Sequence, residues 1–181
     1  MLRRFVLLSL ITTLLSGLIF LVTQQSLRLS ANDPQIQMAE DTASQLSTQK
    51  DTFQITSLPR VDIGKSLSPF EIIYDADGTI ISSSGQLNGK VPALPKGVFA
   101  YAKEHPDDRF TWQPQDGVRI AAVVKHFSGR TDGYVLAGRS LREVENRVEK
   151  LQTDVMLGWA VTEAVIFFTI LITSFPHKKK K

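Results

Sequence analysis

Few residues in this chain combine a type and a spacing that could carry chemistry. Glu163 is the most conspicuous, because it is the only ionisable residue inside either of two long apolar runs. It lies eight residues inside Val155, hence ~12 Å below the end of its run by helix rise. A carboxyl group at such a depth in lipid faces a protein partner or marks a functional pathway. Counting inward by the same number from Thr23 on the first run reaches Leu15, with Ser16 beside it. The expected contact of Glu163 is therefore the Ser16 hydroxyl or a basic residue in a partner's span.

A second group is Trp112, Arg119, Lys125 and Tyr134, all on strand candidates. An aromatic ring with a cation suits a small ligand bearing a carboxylate. The competing reading leaves Arg119 and Lys125 on the solvent face of an amphipathic strand, with Tyr74 and Phe110 in the core. Asp75, Asp77 and Gly78 echo a calcium loop but lack the remaining ligands and the closing Glu. Ser82, Ser83 and Ser84 have no G-x-S-x-G elbow around them and read as the tail of a strand. No paired carboxylates or phosphate-cradling loop stand out. His105, His126 and His177 lie far apart without ligand spacing, and cysteine is absent, so no metal, thiol or disulfide chemistry is expected. The chain reads as a non-enzyme without a cofactor.

The elements that would position these residues follow from where the apolar residues fall. Phe5 to Thr23 and Val155 to Phe175 are each long enough to cross a bilayer core of ~30 Å. A soluble cytoplasmic enzyme is excluded. Between them lie residues 24–154, 131 in number, enough for one small domain and too few for a large catalytic module. Of the 21 Lys and Arg, six flank the runs: Arg3 and Arg4 before the first, and Lys178, Lys179, Lys180 and Lys181 after the second. The middle segment holds 15 basic against 17 acidic residues. The high pI is thus a topology signal and not a nucleic-acid face. Positive flanks stay cytoplasmic, so residues 1–4 and the polybasic tail 176–181 are expected inside and 24–154 outside. The bulky exit Leu21-Val22-Thr23-Gln24-Gln25 lacks a small-x-small cleavage site and favours an uncleaved anchor over a signal peptide.

Along the middle segment, the first span continues as helix to Ser30 and meets Asn32-Asp33-Pro34, where Asn32 or Asp33 caps a new helix. Ile36, Ala39, Ala43 and Leu46 then form one apolar stripe running to about Ser47. That stripe covers the domain's sheet or forms a homodimer seam. From Pro69 the period becomes two: Phe70 to Tyr74, a turn Asp75-Ala76-Asp77-Gly78, then Thr79 to Ser82. A short helix is expected at Val98 to His105, and strands at Arg109 to Gln113, Val118 to Ser128 and Gly133 to Gly138. Five strands with hairpin connections make an antiparallel sheet, and the class is α+β. Ser140-Leu141-Arg142-Glu143 reads as a capping box. Beyond it Leu141, Val144, Val148, Leu151 and Val155 repeat at helical spacing into the second span. One stiff signalling helix would therefore wire the last strand to the membrane.

The anchor continuing into a helix, the hairpin IIYDADGTIISSSGQLNG, and GYVLAGRSLREVENRVEKL entering a second span together resemble the extracytoplasmic PAS-like (Cache-type) sensor domains of bacterial two-span histidine kinases. The resemblance covers roughly Gln24 to Asp154. After the second span come only Pro176-His177 and four lysines, without a HAMP linker, a phosphoacceptor helix or an ATP-binding domain, so autokinase activity is not carried over. What the resemblance implies is a membrane-anchored sensor or accessory signalling protein. It would read a ligand or partner outside and couple it to another membrane protein, such as a histidine kinase. The alternative is a structural protein-docking module with no small-molecule ligand. The expected partners are the lipid bilayer, another membrane protein or a second copy, and a small carboxylate ligand, but no nucleic acid.

Overall fold

The computed structural model describes residues 2–31, 33–48, 59–105, 108–129 and 131–174. The chain forms two compact units: Met1–Arg28 with Glu145–Lys181, and Leu29–Val144. The first is built from α1 (Leu2–Ser30) and α4 (Arg142–Ser174). Leucine, alanine and methionine favour helix, and no proline interrupts either segment. Both helices are long and apolar enough to cross a membrane. Neither has a fully buried residue, and most of their apolar side chains are exposed. Within this unit Phe5 and Phe167 meet edge to face, with ring centroids 6.0 Å apart.

The second unit opens with α2 (Asp33–Thr48), which carries Asp33 in its first turn, where a carboxylate complements the free amides. The expected cap Asn32 lies outside the described residues. Five strands follow as one antiparallel sheet in the order β3-β2-β7-β6-β5. They are β2 (Phe70–Asp75), β3 (Ile80–Ser83), β5 (Asp108–Gln115), β6 (Val118–Phe127) and β7 (Gly133–Ser140). The β2–β3 turn is closed by Asp75, whose Oδ1 accepts from the amides of Asp77 at 3.0 Å and Thr79 at 2.7 Å. Gly78 supplies the positive φ of 82° that this turn requires. A short helix α3 (Val98–Glu104) lies where the sequence places it. A two-stranded parallel pair, β1 (Val61–Asp62) with β4 (Gly85–Gln86), was not foreseen. Two residues per strand are too few to leave a periodic signal.

Both sheet faces are covered. On one, Ala39, Ala43 and Leu46 of α2 meet Ile73, Val123, Phe127, Val135 and Ala137, with Ile36 partly buried beside them. The stripe thus covers the sheet as anticipated. On the other, α3 and the β1 segment cover Phe70, Ile72, Tyr74, Trp112, Ile120 and Leu136. Phe70 reaches across the sheet because Gly138 has no side chain: a Cβ there would stand 2.5 Å from the Phe70 ring. Tyr74 is buried in this core and Phe110 packs on its margin.

Ser140 Oγ accepts from the Arg142 amide at 3.3 Å, while the Glu143 carboxylate meets Arg139 Nη2 at 3.3 Å. An arginine four residues back thus shares the glutamate that the box would turn toward its own cap. Arg142 Nη2 donates to Lys65 O at 2.6 Å and Arg139 Nε to Leu67 O at 3.2 Å. The strand end and helix start are thus tied to the loop after β1.

Candidate functional site

In the two-helix unit the Glu163 carboxylate accepts from Thr12 Oγ1 at 2.6 Å, and Thr12 Oγ1 is also 3.0 Å from Ser9 O. Beside it Trp159 Nε1 donates to Thr13 Oγ1 at 3.0 Å. Ser16, the hydroxyl singled out from the sequence, lies one turn away and borders a groove of about 430 Å³ with Gly17, Phe20, Val155 and Trp159. The correction has a simple cause. Counting inward from both apolar boundaries assumes that they lie level, whereas Thr12 stands eleven residues from Thr23 and Glu163 eight from Val155. The signal that marks the contact is the hydroxyl-rich face Ser9, Thr12, Thr13 and Ser16 on α1, recurring at helical spacing.

The four residues proposed to hold a carboxylate ligand are not brought together. Trp112 is buried in the α3-side core, where Tyr134 packs its ring against Phe99 at 4.8 Å and His126 at 5.2 Å. Lys125 lies on the opposite face and pairs with Glu40 of α2 at 2.7 Å. Arg119 is exposed and shares the Lys125 face by strand alternation. The spacing of Arg119 and Lys125 is odd with respect to Trp112's pairing partner Ile120, so the cations and the aromatics fall on different faces. Leu141 precedes α4, and Val144, Val148 and Leu151 lie within it, all half-buried. Ser82 and Ser83 end β3, as read from the sequence, while Ser84 is buried with its Oγ accepting from the Glu71 amide at 2.9 Å.

The burial of Glu71 escaped the sequence reading, and so did the setting of the Tyr74 hydroxyl. Glu71 is 4% exposed on the α2 side of β2, and Thr42 Oγ1 donates to its Oε1 at 2.7 Å. Burial pushes the Glu71 carboxyl above its ordinary range; the Thr42 bond opposes that and the Asp41 charge adds to it. Between Phe70 and Ile72, Glu71 reads as the wet side of an alternating strand, and only the helix lying over it makes it dry. Tyr74 OH is buried without a hydrogen-bond partner among the described residues, and burial raises the phenol pKa. Its ring is held against Phe99 at 4.9 Å.

Among the described residues no group of acidic and histidine side chains is arranged to hold a metal ion, and Asp75 is engaged by its own turn. No family model matches the chain, and neither a curated protein nor a solved structure does.

Proposed function

We propose that the chain is a membrane-anchored sensor or accessory signalling protein with two spans and both termini in the cytoplasm. Its sheet domain would be an extracytoplasmic PAS-like module that reads a cue outside and passes it to another membrane protein, a histidine kinase being the fitting class. The observation that carries this reading is the continuity of α4. Its 33 residues begin at Arg142, one residue beyond the strand ending at Ser140. A helix of that length is ~50 Å of stiff rod, and it contains both the residues leaving the sheet and the apolar span. A shift of β7 would therefore have a mechanical route into the bilayer. Glu163 and Thr12 supply a polar contact inside that span, which a partner's helix could compete for.

The reading as a docking module without a small ligand gains from one observation: Trp112 and Tyr134, the aromatic half of the expected ligand site, are themselves core. The cue is then better sought in a protein partner than in a carboxylate metabolite.

The test is photo-crosslinking in cells from a reactive residue at Val165, which is 59% exposed on α4. Capture of a signalling membrane protein, with a yield that changes in Val148→Pro, supports the proposal. Capture of lipid alone would overturn it.

A further inference from the structure

The two ends of the α1–α4 pair carry different charge. Three contacts fix the register of the pair: Phe5 with Phe167, Thr12 with Glu163, and Thr13 with Trp159. Numbers rise on α1 as they fall on α4, so the helices are antiparallel and the start of α1 stands beside the end of α4. Arg3 and Arg4 come one or two residues before Phe5, within ~3 Å of its level by helix rise, and both are exposed. Among the described residues no carboxylate pairs with either. Ser174 lies seven residues past Phe167 at the same end, ~10 Å along the axis. Lys178 to Lys181 follow it in the sequence. A chain spans at most ~3.6 Å per residue, which keeps Lys178 within ~15 Å of Ser174. Six cationic side chains therefore belong to this end, with no carboxylate side chain among residues 1–8 or 167–181. The opposite end holds Arg28, Arg147 and Lys150 against Glu145, Glu149 and Asp154, so its charges balance.

We infer that this end binds the headgroups of anionic phospholipids, with the Arg3 and Arg4 guanidinium groups on lipid phosphate and the four lysines adding charge. The inference rests on the reading of α1 and α4 as membrane spans. An exposed guanidinium takes two phosphate oxygens at once, whereas an ammonium group acts as a point charge. A cluster of such cations next to a span is drawn to an anionic leaflet, and each one contributes about fivefold in affinity. At the opposite end the neighbouring carboxylates offset that attraction, so no preference for anionic lipid is expected there. Placement on the helix favours lipid over an acidic protein. Arg3 and Arg4 are consecutive, hence turned ~100° from each other about the helix axis, and one acidic patch on a flat protein surface would meet only one of them. Lipid surrounds a span on every open side. Both arginines also sit at the edge of the apolar run that starts with Phe5, the level at which a bilayer places its phosphates.

The full chain is reconstituted into nanodiscs of phosphatidylcholine and phosphatidylglycerol in equal amounts, and the lipids it retains on release are counted by native mass spectrometry. A nanodisc opens both leaflets, so the outcome does not depend on which way the chain is inserted. Phosphatidylglycerol is expected to be retained about fivefold better, the scale of one cation near an anionic surface. That preference should fall in Arg3→Gln/Arg4→Gln and vanish when Lys178, Lys179, Lys180 and Lys181 are changed to Gln as well. It should stay unchanged in Arg28→Gln/Lys150→Gln at the opposite end. Equal retention of the two lipids, a preference that survives all six substitutions, or an equal loss in the opposite-end variant would overturn the inference while leaving the spans in place. So would displacement of the lipid by inorganic phosphate, which would make the site one for small anions. A chain that does not enter nanodiscs would overturn the reading of α1 and α4 as spans, and this inference with it.

Discussion

The two units of this protein dispose the same residue types in opposite ways. In α1 and α4 leucine, isoleucine and phenylalanine point outward, and the polar atoms of Thr12, Thr13, Trp159 and Glu163 turn toward each other. In the sheet domain the same apolar types are enclosed between α2 and α3, and the charges lie mostly outside. Hydrophobic burial drives the second arrangement. In the proposed membrane setting it would not drive the first, and the helix pair would depend on packing and on its few hydrogen bonds. A polar residue placed inside therefore means different things in the two units: an inter-helix contact in one, an exception to be stabilised in the other.

Substitutions in the sheet core should show the largest effects. Phe70→Ala removes a fully buried ring that fits against Gly138 and is expected to destabilise the domain by about 3–5 kcal/mol, read as a lowered urea midpoint of the detergent-solubilised chain. An equal truncation at Phe168, which is 58% exposed, should leave that midpoint nearly unchanged. If the two cost the same, the contrast between the units fails.

Next in size is Val148→Pro in α4. It should remove a helix hydrogen bond and kink the rod at a cost of ~3 kcal/mol or more, while near-ultraviolet circular dichroism of the sheet domain stays native. Normal signalling by that variant would separate the sheet from the span functionally.

Glu71 sharpens the contrast through pH. Its carboxyl is raised above the ordinary 4.5 by burial, so the folded state favours the protonated form. The associated stability is full below the ordinary glutamate value and is lost as pH rises through the raised one. Unfolding midpoints of the wild type should fall as pH rises above the ordinary glutamate range and vary less in Glu71→Gln. Thr42→Val, which leaves the buried carboxyl without its hydroxyl donor, should cost about 1–3 kcal/mol. A pH profile identical in wild type and Glu71→Gln would show that this group does not report its burial.

The smallest effect belongs to the inter-helix bond. Thr12→Val should weaken the α1–α4 contact by only about 0.6 kcal/mol, the mean for such bonds in a membrane protein. Glu163→Gln keeps a hydrogen-bonding group and Glu163→Leu does not, so co-purification of partners should fall in Leu and persist in Gln. Equal behaviour of all three forms would remove Glu163 from the account.

The five strands, three of the four helices to within a residue or two, and the α2 stripe follow from periodicity and turn residues, because each is long enough to show its period. The pieces that could not be read are those set by tertiary context. The β1–β4 pair is two residues per strand. Glu71 looks exposed until α2 covers it. Arg119, Lys125, Trp112 and Tyr134 look like neighbours in a pattern that ignores which face each strand presents. Thr12 and not Ser16 faces Glu163 because the helix pairing, and not the apolar boundary, sets the level.

The measurement that bears most directly on the account is single-cysteine labelling in intact cells with a membrane-impermeant thiol reagent, in a chain that has no cysteine of its own. Lys65→Cys, at a side chain 86% exposed on the sheet domain, and Ser174→Cys, at the far end of α4, are the two positions. The account predicts labelling at 65 in intact cells and at 174 only after the membrane is opened. Labelling at 174 with position 65 spared, or equal labelling of both in intact cells, would contradict it.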